Sequence, residues 1–392
     1  MLRKLLVAVL IFAALLLVAG IYVVHKVNQL SAESQRDVEE ERRALPAGVR
    51  VGEGLLQYKI IHEVSGIGGI SEIRCGWPAD QENAKVLIVG GGGAELLDSA
   101  NQVKWQVTFS ENEVCPVRVV RLGSAGAYGF LTRDQSWARD VVLFDHDGKK
   151  LWSYGGTGGV DDSAAGVLSG DEKPRVVVGL NGGGGITMLD ENGKKVWHQS
   201  DRNVWHVEML EAKRSGQGRI VHSNASGQLV VRDASGRDVA HYLPGKHVAH
   251  FALTRWGQET EANHLLIPVR AADTDCKHAT FFVLDSDGSA VAQLDAPLGC
   301  LLNRIAGTPV HFSAETESYA VLQTGTALGR SLLYLYDAQG KLVYQEVIGK
   351  ACGGLAATPG ELGERFLVGC GSTILEYSRV AAATPYGKKT PS

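Results

Sequence analysis

Proline is scarce in this 392-residue chain, with 11 residues against 48 glycines. Glycine lies well above the usual ~7%, yet no Gly-X-Y triplet or Ser/Gln-rich tract accounts for it, so collagen and low-complexity linkers are excluded and the glycines read as turn residues. An excess of one charge is also lacking, because 39 Lys and Arg face 43 Asp and Glu for a formal net charge of −4. A chain so balanced carries no electrostatic footprint for gripping nucleic acid or an acidic membrane surface. Gly-x-Ser-x-Gly, His-Glu-x-x-His and Cys-x-x-Cys are all missing, which leaves no serine nucleophile elbow and no short zinc signature. Hydrophobic residues at 44% and charged residues at 21% are ordinary, so most of the length folds and buries a large core.

One long apolar run is present. Leu5 to Val24 are 20 uncharged residues between Arg3-Lys4 and His25-Lys26, enough helix to span a bilayer core of about 30 Å. Residues 1–26 are therefore expected to form a transmembrane signal-anchor; a cleaved signal peptide and a buried soluble helix are the competing readings. Arg3 and Lys4 place the N-terminus in the cytoplasm and export the rest, to a bacterial periplasm or cell surface. Residues 27–52 are charged, helix-permissive and halted by Pro46 and Gly48, and read as a juxtamembrane helical stalk.

The rest of the chain is a repeat. An Asp-centred unit recurs six times, at Asp98, Asp145, Asp190, Asp233, Asp285 and Asp337, in steps of 47, 45, 43, 52 and 52. Apolar residues precede each Asp, a Gly usually follows three residues later, and a polar-apolar stretch ends in Trp, Tyr or Ala, as in LFDHDGKKLW at Leu143 to Trp152. Asp opens a turn and Gly supplies a positive φ, so each unit holds a β-hairpin. Strand-like runs upstream, such as RVVVGL at Arg175 to Leu180 and VWHVEML at Val204 to Leu210, bring each unit to four strands per roughly 48 residues, the signature of a propeller blade. The glycine runs Gly90 to Gly93 and Gly182 to Gly185 each begin eight residues before a repeat Asp. They read as the same inter-strand turn, since a phosphate loop needs a following helix and Gly-Lys-Ser/Thr. A last unit, Gly363 to Ser378, stops after three strands, and Leu55 to Val64 is a strand with no hairpin of its own. The fold predicted is all-β: a seven-bladed β-propeller over 53–379, with 55–64 closing the last blade, behind the N-terminal helix and stalk and ahead of a disordered tail at 380–392.

The hairpins Asp145 to Trp152 and Asp190 to Trp197, with a looser copy at Asp98 to Trp105, resemble the PQQ-like (quinoprotein-type) propeller repeat. Ser169 to Trp197 is also similar to FG-GAP/VCBS-type repeats. The resemblance implies architecture more than activity, because the repeat serves dehydrogenases, assembly scaffolds and binding proteins. Quinone-dependent members have eight blades, adjacent cysteines and an acidic calcium-bound base, none of which this chain matches, and no cofactor is expected. The acids Asp161, Asp162, Asp171 and Glu172 lie where FG-GAP repeats carry calcium but lack the alternating Asp spacing.

Histidine is the residue type with a pattern. His206 and Glu208 open the fourth unit, and His241, His247 and His250 cluster at the opening of the fifth. Innermost strands line a propeller channel, so His206, Glu208, His247 and His250, with Asp161 and Asp162, are the candidate channel-rim binding residues; the alternative is structural or solvent-facing histidines. No metal site and no catalytic residue is assigned. Six cysteines in an exported chain permit disulfides. Cys300 and Cys352 each follow a repeat Asp by 15 residues, so they are the disulfide candidate, with free thiols as the other reading. The function expected is a membrane-tethered, non-catalytic binding or scaffold module with an envelope or membrane protein partner; an envelope enzyme acting on polysaccharide or small molecules at the channel is the alternative.

Overall fold

The structure, a computed structural model, describes residues 2–44, 48, 50–75, 84–109, 118–122, 128–133, 139–155, 158–168, 173–211, 218–257, 262–270, 279–298, 304–313, 316–325, 329–357 and 365–380. Two units result, 1–47 and 48–392. The first is a single helix, Leu2–Ala44, which ends two residues before Pro46, whose ring disfavours helical geometry in the residue before it. Its stretch Ile11–Glu33 is long and apolar enough to cross a membrane by length and composition. Toward its C-terminal end the helix turns polar, with Gln29 bonded to Glu33 and Arg43 paired with Glu39, each pair one turn apart.

The second unit is the seven-bladed propeller that the repeat predicts. Blade 1 runs through Ile70–Cys75, Ala84–Gly90, Gly93–Asp98 and Val103–Thr108, and blade 2 through Arg118–Arg121, Tyr128–Arg133, Asp140–Asp145 and Lys150–Gly155. Blade 3 comprises Val160–Val167, Pro174–Leu180, Gly185–Leu189 and Lys195–Gln199; blade 4 comprises Val204–Leu210, Arg219–Asn224, Leu229–Arg232 and Asp238–Tyr242. Blade 5 holds Ala252–Thr254, His264–Arg270, Ala279–Leu284 and Ala290–Ala296, and blade 6 holds Arg304–Ser313, Thr316–Gly325, Arg330–Asp337 and Leu342–Ile348. Blade 7 takes Cys352–Ala357, Arg365–Cys370 and Thr373–Arg379 from the end of the chain and its outermost strand, Leu56–Glu63, from the start. That strand pairs antiparallel with Thr373–Arg379, Tyr58 opposite Tyr377 and Ile60 opposite Leu375.

Every blade buries both faces, which is why its middle strands read as unbroken apolar runs. In Ala84–Gly90, Leu87 and Val89 pack on blade 2 through Val119, Phe130 and Val142, while Val86 and Ile88 pack on blade 7 through Leu367 and Ile374. Seven such apolar clusters occur among the described residues, one at each junction between neighbouring blades. At the closing junction His62 of the outermost strand of blade 7 meets the buried Glu95 of blade 1 at 2.8 Å.

The repeat Asp has a uniform role. In all six hairpins its Oδ1 accepts backbone N–H groups two and four residues on, as Asp145 does from Asp147 and Lys149. The third residue after Asp has positive φ throughout: Gly in five hairpins, and Asn101 at 59° in the first, the residue type that best tolerates that region after Gly. The next blade's hairpin is then covered from behind. Trp152 Nε1 donates to Glu191 O over Gly193, and Trp197 Nε1 to Ala234 O over Gly236. Where the seventh residue after Asp is Ala240, the ninth takes over: Tyr242 lies on Gly288 and donates to Ser286 O. The sixth residue after Asp is a β-bulge on the outer strand, leaving Leu151, Val196, Val239 and Val291 exposed.

Two features differ from the sequence reading. Arg50–Val51, expected in the stalk, forms a fifth strand on the outer edge of blade 6 against Gln345 and Glu346; two residues are too few to show periodicity. The expected Cys300–Cys352 disulfide is not formed. Cys352 is bonded to Cys370, its direct partner across two strands of blade 7, with Cα atoms 3.9 Å apart. Equivalence between blades brings side chains less close than adjacent positions on one ladder do. Cys300, like the acidic pair Asp171 and Glu172 and the tail at 381–392, lies outside the described residues.

Gly193→Ala places a Cβ 2.7 Å from the Trp152 ring at a φ of 75°, and is expected to cost about 1–3 kcal/mol in urea denaturation. Asn101→Gly at the equivalent position is expected to stay within about 0.5 kcal/mol of the parent.

Candidate functional site

The innermost strands of the blades bring five charged or titratable side chains together at the channel. Asp162 and His206 occupy the same rung of blades 3 and 4, opposite Gly179 and Ser223, each just after a bulge. The positions 162, 206 and 250 are spaced evenly, 44 residues apart, so His250 sits at the corresponding point of blade 5. Asp162 Oδ2 is the hub: it lies 2.6 Å from His206 Nδ1, 2.9 Å from Arg118 Nη2 of blade 2, and accepts the Val207 N–H at 3.0 Å. Arg118 also reaches past blade 3 to Glu208 of blade 4, Nη1 to Oε1 at 2.7 Å. His206 Nε2 stands 3.4 Å from the same Glu208 oxygen, and the His206 ring meets His250 at 5.9 Å and Phe251 at 4.7 Å, both edge-on.

Two cations and two carboxylates thus neutralise one another in a nearly dry setting. Burial would push His206 down, but Asp162 and Glu208 beside it outweigh that and hold it up at about 9. Burial would raise both carboxyls, but Arg118 and His206 keep Asp162 and Glu208 well below the usual carboxylate range. His250 is driven the other way, to about 4, by burial and by the adjacent His206 cation. At neutral pH the pair is therefore one imidazolium and one neutral imidazole.

The remaining sequence candidates divide. Asp161 is turned to Asn181, whose Nδ2 donates to it at 3.1 Å. His247 is exposed, against the Trp205 ring at 5.8 Å and above Gly227. His241 pairs with Asp238 on the outer strand of blade 4, away from the channel strand. Sequence reasoning missed Arg118, which sits inside the strand run Val117 to Leu122 with nothing local to mark it, and Glu72 of blade 1, which accepts the Val119 N–H and pairs with Arg74. The even spacing of 162, 206 and 250 was the available signal for the shared rung. Among the described residues no three His, Cys, Asp or Glu side chains are grouped to hold a metal ion.

The sequence matches no known protein family and no curated protein. Solved structures do match. The Pan2 WD40 domain of Neurospora crassa is 12% identical over 87% of this chain and 99% of its own, with a TM-score of 0.50. BBS1N, in a crystal structure of its complex with ARL6DN, is 12% identical over 83% of this chain and 98% of its own, with a TM-score of 0.53. At that identity the likeness is one of fold.

His206 with a folded pKa near 9 against about 6.5 unfolded contributes stability that is complete below about pH 6.5 and lost as pH rises through 9, on the order of 3 kcal/mol. His206→Gln should flatten that alkaline decline in denaturant titrations. Arg118→Met, which leaves two buried carboxylates facing one imidazolium, should cost about 3–5 kcal/mol at pH 7.

Proposed function

We propose that this chain is a membrane-tethered propeller, exported with its N-terminus in the cytoplasm, that acts as a non-catalytic binding or scaffold module for an envelope or membrane protein partner. The observation that carries this reading is the charge-balanced network of Arg118, Asp162, His206 and Glu208. These channel groups hold one another in fixed protonation states far from neutrality, whereas a general acid or base works best with a pKa near the operating pH. A ring stiffened by seven apolar junctions displays loops on two faces, the usual way a propeller meets a partner. The apolar stretch of the N-terminal helix supports the tether, and the Cys352–Cys370 bond suits an oxidising compartment. BBS1N, a fold neighbour, is seen in complex with ARL6DN, an instance of a propeller of this kind engaging another protein. The Trp152 and Trp197 rings over the next hairpins favour kinship with the PQQ-like repeat.

Cross-linking in membranes followed by affinity recovery of the full chain is expected to yield a stoichiometric protein partner; recovery of the chain with a tightly bound, turned-over small molecule and no protein would overturn the reading. Lys341→Cys, on an exposed hairpin, should react with an impermeant maleimide in intact cells above the parent's background if the propeller is exported.

A further inference from the structure

Four Asx-Gly pairs occur in the chain: Asp147-Gly148, Asn181-Gly182, Asn192-Gly193 and Asp287-Gly288. Such a pair has a chemistry of its own, because glycine has no side chain to keep its backbone nitrogen from the side-chain carbonyl carbon of the residue before it. Three of the four lie in repeat hairpins, and there the glycine nitrogen is occupied. Gly148, Gly193 and Gly288 donate to the carbonyl of the repeat Asp at 3.1, 3.0 and 3.1 Å. Each is also covered by the preceding blade, through Val107, Trp152 and Tyr242 respectively. In the Asn192-Gly193 hairpin the Asp190 carboxylate takes two further N–H groups, those of Asn192 and Lys194. Swinging the Gly193 nitrogen toward the Asn192 side chain therefore means dismantling the turn.

Asn181-Gly182 is built differently. It opens the turn between the second and third strands of blade 3, where Leu180 stands opposite Gly185. Gly182 and Gly183 are exposed, with φ of 63° and 86°, and nothing lies within 4 Å of where a Cβ would stand on either. The Gly182 N–H has no backbone acceptor among the described residues. A single backbone bond, Gly184 N–H to Asn181 O at 3.0 Å, holds the peptide group between the two residues. The Asn181 side chain is placed by Asp161, whose Oδ1 accepts its Nδ2–H at 3.1 Å.

We propose that Asn181 is a site of spontaneous deamidation, and that the repeat hairpin shields Asn192, its chemical twin, from the same reaction. The Gly182 N–H gives its proton to hydroxide, its nitrogen bonds to Asn181 Cγ, and the Cγ–Nδ2 bond breaks; Nδ2 leaves as ammonia with a proton from water. Water then opens the succinimide ring at either carbonyl. The product is aspartate or, where the main chain is rerouted through the side-chain carbon, isoaspartate. Either product exchanges the amide donor for a carboxylate facing the Asp161 carboxylate, which sets like charges together. That repulsion arises next to Asp162, the hub of the channel network. Deamidation thus alters the channel rim of blade 3 while the hairpins stay intact, and it does not depend on protein docking.

Timed incubation of the full chain in detergent micelles at mildly alkaline pH tests this, with peptide mapping by mass spectrometry to read the replacement of NH2 by OH at each asparagine. Enzymatic methylation of isoaspartate gives a second readout. In the folded chain Asn181 is expected to convert at least about tenfold faster than Asn192, and in urea, where no turn remains, the two rates should converge. Asp190→Ala should raise the Asn192 rate and leave that of Asn181 unchanged. Asn181→Asp should lower the urea midpoint relative to Asn181→Ser, which keeps a donor for Asp161. An Asn192 rate equal to or above that of Asn181 in the folded parent, or an Asn181 that converts only in urea, would overturn the proposal. An unmoved Asn192 rate in Asp190→Ala would reject the shielding, and equal midpoints would reject the like-charge consequence. Should a variant misfold, the parent's two rates decide.

Discussion

A sheet that is apolar on both faces has no stable existence by itself, and every blade of this protein is such a sheet. Leu87 and Val89 need blade 2 while Val86 and Ile88 need blade 7, so burial is complete only when the seventh blade meets the first. The hairpins, the bulges and the channel network all answer to that requirement. Ring closure converts many weak junctions into one cooperative body, because opening any junction exposes two apolar faces at once.

The hairpins serve the junctions rather than merely turning the chain. Each Asp carboxylate fixes a turn with a positive-φ residue, and where that residue is Gly, in five of the six hairpins, its bare surface accepts an aromatic or aliphatic group from the preceding blade. Trp152 on Gly193 and Tyr242 on Gly288 are two solutions, from different positions of the repeat, to the same contact. The bulge at the outer strand has a complementary role: it interrupts an otherwise regular edge carrying an exposed Leu or Val, discouraging pairing with another molecule. Only past the bulge of blade 6 has an edge been used, by the chain's own Arg50–Val51 among the described residues.

Turn chemistry is local, and so the six Asp positions disclosed the third and fourth strands of six blades directly, while the seventh blade followed from the incomplete last unit and the unpartnered strand 55–64. The buried second strands were legible for a similar reason, since runs such as RVVVGL fit a sheet covered on both faces. The channel was legible only in part. His206 and Glu208 fall on a predicted inner strand and Asp162 is a channel-rim candidate, but the contacts of Asp162 and Glu208 with Arg118 join residues 44 and 90 apart in the chain, and nothing local encodes which charged side chains of different blades will meet. The disulfide failed for a related reason. Repeat equivalence suggested a bond from blade to blade, whereas the ladder register that sets Cys352 opposite Cys370 depends on the length of an intervening loop that no pattern fixes.

The strand Leu56–Glu63 has a consequence for how the protein is made. It is the first full strand of the ring to leave the ribosome and the last to find its partner, Thr373–Arg379, which is synthesised more than 300 residues later. At ordinary translation rates of roughly 5–20 residues per second that delay is about 15–60 s. Throughout it the strand waits unpaired beside a growing stack of blades whose first and last faces are bare. Maturation thus waits on blade 7, and a chain truncated anywhere before it leaves both the waiting strand and two apolar faces for the quality-control machinery to recognise.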